Sequence, residues 1–344
     1  MRINIIGFSS KGCALAKKLS EGLREHECSY FGKTAGDRHG AAQVTSADEW
    51  VADSFKECGA IIFVGAVGIA VRYIAPYVKD KTRDPAVIVI DELGMNIIPI
   101  LSGHIGGANR LSEVMAERIG GNAIITTATD LNDVFSVDMF AVDNDLHIGD
   151  MGIAREVSAR LLDGRRVYVG SDVKMDDGLP NGLTYAYHGD IGIHITPFNV
   201  PGPFERTLTL TPRQMFIGIG CRKGIEMRTI EERVLNDLNN NKISIHSLKA
   251  GGSIDLKRDE KGLIEFFRKY KVPVTFLTSA ELNSVKGEFT DSEYVREVTG
   301  VGNVCERAAL ALSNGGELII KKTSGEGVSV AVASKAPVIR FGVK

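Results

Sequence analysis

The stretch Leu101-Ser102-Gly103-His104-Ile105-Gly106-Gly107-Ala108-Asn109-Arg110 decides how the first part of this chain folds. It follows an apolar run, residues 97–101, and precedes an amphipathic run, residues 111–119. This order predicts a strand, a glycine-rich turn and a helix whose N-terminal N–H groups favour an anion. The alternative is that the glycines only let the helix pack closely on the sheet, with His104 satisfied inside the protein.

A second glycine turn, Gly65-Ala66-Val67-Gly68-Ile69-Ala70-Val71-Arg72, follows the apolar run 60–64 and opens another helix. The repeated order of strand, glycine turn and helix predicts a layered α/β domain with a mainly parallel sheet. Residues 85–91 and 95–101 predict two strands around a hairpin-type turn. If the strands before the two glycine turns are parallel neighbours, both turns lie at the carboxyl end of the sheet, where ligands bind.

Length and composition exclude several classes of protein. The chain has 344 residues, of which 44% are apolar and 24% charged, which predicts two or three soluble globular domains. A net charge of −2 provides no basic field for nucleic acid or a membrane surface. No apolar stretch approaches the ~20 residues of a membrane span. The five cysteines show no CxxC pattern, which indicates reduced thiols, and we expect a cytoplasmic protein.

The fold class predicted for the whole chain is α/β, with layered N-terminal and C-terminal α/β domains and a small middle α/β module. The predicted boundaries are 1–130 for the N-terminal domain, 131–212 for the middle region and 213–344 for the C-terminal domain. The end of the middle region, residues 196–212, contains four prolines and is predicted to be a linker, because prolines at that density do not join a central strand.

A third glycine motif, Gly218-x-Gly220-x-x-x-Gly224, follows a predicted strand at 215–219 and carries Arg222 and Lys223 on its turn. Its spacing departs from GxGxxG, and the predicted next strand ends at Ser247-Leu248-Lys249 with no acidic residue to hold a ribose. A nicotinamide site is therefore disfavoured. An anion cradle is the better interpretation, and a packing turn with two solvated cations is the alternative.

A fourth motif, Gly300-Val301-Gly302-Asn303-Val304-Cys305-Glu306-Arg307, precedes a helical run. Asn303 and Glu306 have the spacing of a capping box, while the glycines and Arg307 are available to face a ligand. Cys305 has no histidine near it in the sequence, which disfavours a nucleophilic role. No GxSxG elbow, HExxH or P-loop occurs, and the histidines show no metal-ligand spacing, so no protein-bound metal is predicted.

Together and in this order, the motifs at 65–72, 101–109, 218–224 and 302–309 resemble the cobalt-precorrin 5A hydrolase family, CbiG, of anaerobic cobalamin biosynthesis. The resemblance covers nearly the whole chain and includes a C-terminal domain like that of the CobE family. It implies a cobalt-containing, ring-contracted tetrapyrrole substrate whose δ-lactone is opened by water, with release of acetaldehyde. It implies no organic cofactor, and the cobalt arrives with the substrate.

Such a reaction needs a base to activate water, donors for an oxyanion and a group that assists carbon–carbon cleavage. We expect His104 to be the base, because an imidazole ring exchanges protons near neutral pH, and Ser102 to orient the ring or the water. We expect the substrate to lie between the N- and C-terminal domains. The predicted substrate-binding residues are Gly65, Gly68, Arg72, Gly103, Gly106, Gly107, Asn109, Arg110, Gly220, Arg222, Lys223, Gly302, Asn303 and Glu306.

A different class of function uses the same residues. A non-catalytic tetrapyrrole carrier would bind through these glycine turns and pass the intermediate between enzymes. Release of acetaldehyde distinguishes the hydrolase from the carrier. The sequence leaves the oligomeric state open, and a homodimer is compatible with it.

Overall fold

A computed structural model of the chain describes residues 1–80, 83–104, 106–132, 134–176 and 178–342. The chain divides into two compact units, Met1–Met139 and Phe140–Lys344. Within the described residues, the first unit holds a seven-stranded sheet and the second holds two five-stranded sheets, and most neighbouring strands are parallel. Helices accompany all three sheets, so the predicted α/β class is confirmed.

The first unit alternates strands and helices. Its strands are β1 (Arg2–Gly7), β2 (Glu27–Gly32), β3 (Ala42–Gln43), β4 (Ala60–Val64), β5 (Ala86–Ile90), β6 (Asn96–Leu101) and β7 (Asn122–Ala123). Its helices are α1 (Ser10–Gly22), α2 (Ala47–Glu57), α3 (Val67–Ile74), α4 (Ala108–Ile119) and α5 (Ala128–Leu131), and α6 (Val137–Asp143) leads into the second unit.

The sheet of the first unit has the order β3-β2-β1-β4-β5-β6-β7. Every residue of β4 and β5 is buried, as expected for central strands covered by helices on both faces. Apolar residues of α1 and α4 pack on one face of this sheet, and those of α2 and α3 pack on the other. The continuous apolar runs in the sequence therefore mark the middle of the sheet.

The two glycine turns of the first unit, at 65–72 and 101–110, lie at opposite ends of the strands. β5 is parallel to β4, but β6 is antiparallel to β5, with Leu101 opposite Val87 and Ile97 opposite Ile90. The end of β6 therefore lies beside the start of β5, whereas the end of β4 lies beside the end of β5. The strands before the two turns are not parallel neighbours, so the condition under which both turns would share the carboxyl end of the sheet is not met, because a tight hairpin reverses chain direction and only a crossover preserves it.

The second unit begins with a sheet of order β10-β9-β11-β12-β8. Its strands are β8 (Leu146–Ile148), β9 (Val167–Ser171), β10 (Leu183–Tyr185), β11 (Ile191–Ile195) and β12 (Arg206–Pro212), with helix α7 (Met151–Leu162) between β8 and β9. β12 pairs with both β11 and β8, so the prediction of a linker is wrong for residues 206–212. The other three prolines of this stretch precede β12, and Pro212 is its last residue, which leaves the strand interior free of proline.

The C-terminal sheet has the order β15-β14-β13-β17-β16. Its strands are β13 (Met215–Cys221), β14 (Leu248–Ile254), β15 (Val274–Leu277), β16 (Glu317–Gly325) and β17 (Val328–Ser334). Its helices are α8 (Met227–Asn240), α9 (Lys261–Lys269), α10 (Ser279–Ser284), α11 (Glu293–Thr299) and α12 (Cys305–Ser313). Apolar residues of α8 and α9 form one core with the sheet, and Ala308 of α12 belongs to a separate core with Ile254 of β14.

The second strand of this sheet lies further along the chain than the sequence predicts. Residues Ile245–Ser247 form a short 3₁₀ helix, and the strand itself is Leu248–Ile254. The glycines of this strand allow helices to approach closely. A Cβ at Gly251 would lie 1.9 Å from Phe267 Cε1, and one at Gly252 would lie 2.8 Å from Leu312 Cδ1. This glycine pair thus lies in an interior strand of the sheet, where the missing side chains leave room for the helices.

A stacked histidine pair makes the second unit sensitive to acid. The rings of His147 and His246 lie 3.8 Å apart between centroids, and burial and the neighbouring charges of His246 and Arg213 lower the pKa of His147 to about 4. Because the unfolded chain would take up this proton nearer the ordinary value of 6.5, the stability of the folded state falls as the pH drops from 6.5 towards 4.

We expect His147→Phe to reduce this loss, because a phenyl ring retains the stacking and does not take up a proton. The measurement is the Tm of the unfolding transition at pH 7, 6, 5 and 4.5. The control is His188→Phe, since His188 is exposed. An equal fall of Tm with pH in the His147→Phe variant and the wild type would contradict the assignment.

Candidate functional site

The turn between β6 and α4 is held tightly to its own unit. Ser102 has a φ of 56°, in the left-handed region, and its hydroxyl donates to the carbonyl of Asp84 at 2.9 Å. A Cβ at Gly106 would lie 2.4 Å from the Cβ of Ser102, so a side chain does not fit at position 106. Ser102 is buried, and its hydroxyl anchors the turn to the residues just before β5.

Three N–H groups at the start of α4 are bonded to the turn itself. Those of Gly107, Ala108 and Asn109 donate to the carbonyls of His104, Ser102 and Gly103 at 2.9, 3.2 and 3.0 Å. They are therefore not directed at an anion, contrary to the expectation from the helix N-terminus. The Asn109 amide donates to Thr127 Oγ1 at 3.0 Å.

The remaining predicted residues of this turn differ in exposure. A Cβ at Gly103 would lie 2.7 Å from Asn109 Oδ1, so Gly103 packs against that side chain. His104 is half-buried and Arg110 is exposed, while Ile105 of the motif lies outside the described residues. The close-packing interpretation thus accounts for Gly103 and Gly106, whereas Gly107 has a φ of 78°, in the left-handed region, and a Cβ there would meet no atom within 4 Å. The role of His104 stays a prediction.

The turn at the carboxyl edge, between β4 and α3, is more open. The N–H of Gly65 donates to the carbonyl of Ile90 at 2.8 Å, which fixes the turn to the end of β5. A Cβ at Gly68 would meet no atom within 4 Å, and Arg72 is exposed on α3. This turn leaves room for a ligand, but it does not share an edge with Ser102 and His104.

A cavity of about 770 Å³ lies at the end of β13 in the C-terminal domain. Four of its lining residues are cationic, and α11 contributes Tyr294 and Val298, which are largely exposed. The cations are Arg222, Lys223, Lys257 and Lys322. The predicted residues Gly220, Arg222 and Lys223 thus share one cavity, which combines several positive charges with an apolar wall.

The predicted anion cradle at this turn holds a carboxylate of the protein itself. The N–H of Gly224 donates to Glu260 Oε1 at 2.9 Å, and the N–H of Arg222 donates to the carbonyl of Gly327 at 2.8 Å. A Cβ at Gly327 would lie 2.9 Å from Arg222 Cδ, so Gly327 supports that side chain. Anion binding at this turn would therefore depend on side-chain cations and not on these two N–H groups.

An acidic residue does follow the second strand of the C-terminal sheet, contrary to the prediction that disfavoured a dinucleotide site. The strand that follows the turn is β14, and Asp255 comes directly after it, so an acidic residue does stand at that strand end. The donation from Gly224 to Glu260 is a separate argument against a pyrophosphate at this turn, because the N–H group is already occupied.

Asn303 and Glu306 lie inside the C-terminal domain, where each is 1% exposed. The Glu306 carboxylate accepts from the N–H groups of Thr290 and Lys322 at 2.9 and 2.8 Å. It also accepts from the Asn303 amide at 2.6 Å, and Asn303 Oδ1 accepts from the N–H of Glu306. These two residues hold the segment that carries Lys322, a cavity residue, so any effect of theirs on a ligand would be indirect.

The neighbours of this pair are also engaged in packing. A Cβ at Gly302 would lie 2.4 Å from Asp291 Cγ, which excludes a side chain there. Arg307 donates to the carbonyls of Leu282 and Val285 and lies 4.1 Å from the centroid of the Phe289 ring. Burial raises the pKa of Cys305 to about 11, which agrees with the expectation that it is not a nucleophile.

Sequence reasoning missed a polar cluster at the carboxyl edge of the first sheet. Ser10 opens α1, and its hydroxyl oxygen lies 3.1 Å from Nε2 of His39, in the loop after β2. The signal was Gly7-Phe8-Ser9-Ser10-Lys11-Gly12, in which glycines flank serines between a strand and a helix. This spacing is one residue longer than GxSxG, so a search for that pattern does not find it.

Among the described residues, no group of three or more histidine, cysteine, aspartate or glutamate side chains is placed to hold a metal ion. In the same part of the chain, no helix combines the length and apolar character that crossing a membrane requires.

Family models match the chain in three consecutive pieces. Residues 49–130 match "Cobalamin synthesis G N-terminal", residues 135–212 match "Cobalamin biosynthesis central region", and residues 215–333 match "Cobalamin synthesis G C-terminus". The cobalt-precorrin-5A hydrolase of Salmonella typhimurium is 34% identical over 294 residues, which cover 81% of this chain and 83% of that protein. The chain belongs to the cobalt-precorrin-5A hydrolase family.

Further similarities extend along the chain. The cobalt-precorrin-5A hydrolase of Priestia megaterium is 29% identical over 355 residues, covering 96% of this chain and 94% of that protein. The crystal structure of CobE, described as a protein from the cobalamin biosynthetic pathway, is 33% identical; it covers 36% of this chain and 90% of CobE, with a TM-score of 0.34. The resemblance inferred from the motifs is confirmed, and with it a role in cobalamin biosynthesis.

Proposed function

We propose that this member of the cobalt-precorrin-5A hydrolase family opens the δ-lactone of cobalt-precorrin-5A with water and releases acetaldehyde, giving cobalt-precorrin-5B. The observation that carries the proposal is 34% identity to the Salmonella typhimurium enzyme over 81% of this chain. Cobalt enters as part of the substrate, and the proposed reaction needs no organic cofactor.

The cavity at the end of β13 supports a tetrapyrrole as the ligand. A macrocycle of this kind has a broad apolar face and several carboxylates at its rim. The cavity offers an exposed apolar pair, Tyr294 and Val298, together with four cations. Charge-assisted hydrogen bonds from guanidinium and ammonium groups to carboxylates are among the stronger polar contacts in proteins.

The reaction also needs a base, and His104 is the residue predicted from the sequence. The ring lies on the turn that Ser102 anchors to Asp84 through its hydroxyl. That hydrogen bond favours a supporting role for Ser102 and does not favour direct contact with water. His104→Gln tests the role of the imidazole, with turnover as the readout and Tm as the check on folding.

The proposed activity is tested by incubating the full chain with cobalt-precorrin-5A and measuring acetaldehyde with a coupled alcohol dehydrogenase. We expect acetaldehyde and cobalt-precorrin-5B in equal amounts. Acetaldehyde at the level of a heat-inactivated sample would refute the hydrolase. Tight binding of the tetrapyrrole in the same experiment would then favour the carrier.

One observation favours the carrier for the C-terminal half. The described residues that line the cavity include no histidine, and burial raises the pKa of its Cys221 thiol to about 11. The cavity is thus equipped to bind, and its described lining offers the Glu326 carboxylate but no imidazole for proton transfer. The acetaldehyde measurement separates the two functions for the whole chain.

We expect Arg222→Ala to raise KM for the tetrapyrrole by about 10-fold or more, because one charge-assisted contact to a carboxylate is lost. The kcat changes little if the contact is the same in the ground state and the transition state. The control is Arg228→Ala on α8, whose guanidinium is exposed and pairs with Glu232. If both variants have the same KM, Arg222 does not contact the substrate.

A further inference from the structure

A serine, a histidine and an aspartate meet at the carboxyl edge of the first sheet. Ser10 follows β1, and Asp37 and His39 follow β2, the parallel neighbour of β1. Ser10 Oγ lies 3.1 Å from His39 Nε2, and His39 Nδ1 lies 3.4 Å from Asp37 Oδ2. The three groups therefore stand in the order nucleophile, base and carboxylate that acyl-transfer enzymes use.

The turn that presents Ser10 depends on close backbone packing. A Cβ at Gly7 would lie 2.6 Å from the nitrogen of Cys13, so β1 passes into α1 through a turn that admits no side chain there. The two serines of the turn have different tasks. Ser9 caps α1 by accepting from the N–H of Gly12 at 3.0 Å, while the Ser10 hydroxyl faces the imidazole.

The loop after β2 fixes the histidine. His39 has a φ of 52°, an uncommon conformation for a side chain of this size, and its N–H donates to Asp37 Oδ1 at 2.9 Å. The second carboxylate oxygen of Asp37 faces Nδ1 of the same ring. An aspartate at Nδ1 favours the tautomer that carries its proton there, which leaves Nε2 able to accept the proton of Ser10.

The start of α1 can also stabilise an oxyanion. Helix geometry gives the first N–H groups no intrahelical acceptor, and here the Gly12 N–H is taken by Ser9 while the Cys13 N–H bonds to the Ser9 carbonyl. No described residue accepts from the N–H groups of Ser10 and Lys11, which lie at the positive end of the helix dipole. The N–H of the residue after a nucleophilic serine is a common oxyanion donor.

We propose that Ser10, His39 and Asp37 form the acyl-transfer centre of this protein, with a lactone carbonyl as its target; the choice of lactone rests on the proposed function, and in this mechanism His39, and not His104, is the base. Ser10 Oγ bonds to the carbonyl carbon and its proton passes to His39 Nε2. The lactone C–O bond then breaks, and His39 returns the proton to the leaving oxygen. Water attacks the serine ester, its proton passes through His39 to the Ser10 oxygen, and a carboxylic acid is released. One water is consumed.

The test compares the full-length wild type with Ser10→Ala, His39→Gln and Asp37→Asn. We expect kcat to fall by about 10³-fold or more for the first two variants, with KM little changed. Asp37 is exposed, so its charge is screened, and we expect Asp37→Asn to lower kcat only about 10-fold. Ser20→Ala is the control, because its hydroxyl bonds only to the carbonyl one turn back on the same helix. Tm values confirm that each variant is folded.

A second readout does not depend on the lactone. A fluorophosphonate probe is expected to label Ser10 in the wild type and in Ser20→Ala, to label His39→Gln slowly, and to leave the peptide that contains position 10 unlabelled in Ser10→Ala, as read from peptide masses. Turnover of Ser10→Ala within about threefold of the wild type would overturn the centre and leave the hydrolase intact. Should the wild type release no acetaldehyde, His39-dependent labelling of Ser10 would still support the centre for another ester, and no labelling would overturn it.

Discussion

Replacing Gly218 with alanine is expected to lower the free energy of unfolding of the second unit by about 3 kcal/mol or more. Gly218 lies in β13, where the sheet meets the N-terminal end of α12. A Cβ at this position would lie 1.9 Å from the carbonyl oxygen of Cys305 and 2.9 Å from the nitrogen of Ala309. Both are backbone atoms, so the helix itself must move, and its buried contacts with β13, β14 and β17 would be lost.

The measurement is urea unfolding followed by circular dichroism, with Gly178→Ala as the matched control. A Cβ at Gly178 would meet no atom within 4 Å, so that variant keeps the stability of the wild type. Equal unfolding midpoints for the two variants would show that α12 does not press on β13 as closely as described.

Replacing Glu306 with alanine is expected to destabilise the C-terminal domain by about 3 kcal/mol or more, because several donors lose their acceptor at once. The N–H groups of Thr290 and Lys322 and the amide of Asn303 all donate to this carboxylate. Glu306→Gln retains one acceptor oxygen and is expected to cost less, about 1–2 kcal/mol. The Tm and the urea midpoint report the effect.

The Glu306→Gln variant also separates a substrate-binding role of Glu306 from a structural role. If Glu306 contacted the substrate, Glu306→Gln would raise KM while leaving Tm near that of the wild type. Because this carboxylate is bonded within the protein, we expect Glu306→Gln to lower the Tm. We expect the KM, measured at a temperature well below the Tm, to stay nearly unchanged. The control is Glu297→Ala on α11, because Glu297 is an exposed carboxylate of the same domain.

The sequence predicted the fold class well, because apolar periodicity and glycine turns reflect local physics. Runs such as 60–64 and 86–90 are fully buried strands, and the glycine turns at 65, 107 and 224 follow strands as predicted. The sequence did not predict at which end of the strands each glycine turn lies. Strand direction depends on whether a hairpin or a crossover joins two strands, and the consequence for Ser102 and Gly65 appears only when the sheet is assembled.

The residues of the candidate site were likewise predicted only in part. The sequence identified Gly220, Arg222 and Lys223, which line the cavity, because a glycine turn with two cations is a local feature. It did not identify Lys257 and Lys322, which come from other segments. It also passed over Ser10 and His39, which are 29 residues apart and meet only because β1 and β2 are parallel neighbours.

Local patterns in the sequence were enough to predict most of the strands, turns and helices and, through several motifs in order, the family. The assembled structure was needed to show which polar groups are already bonded and which distant residues meet. Glycines 251 and 252 illustrate the reason. They lie in β14, an interior strand, where the side chains of Phe267 and Leu312 approach the backbone from two helices and leave no room for a Cβ. Close packing between distant segments leaves no pattern in the local sequence, and only the assembled sheet reveals it.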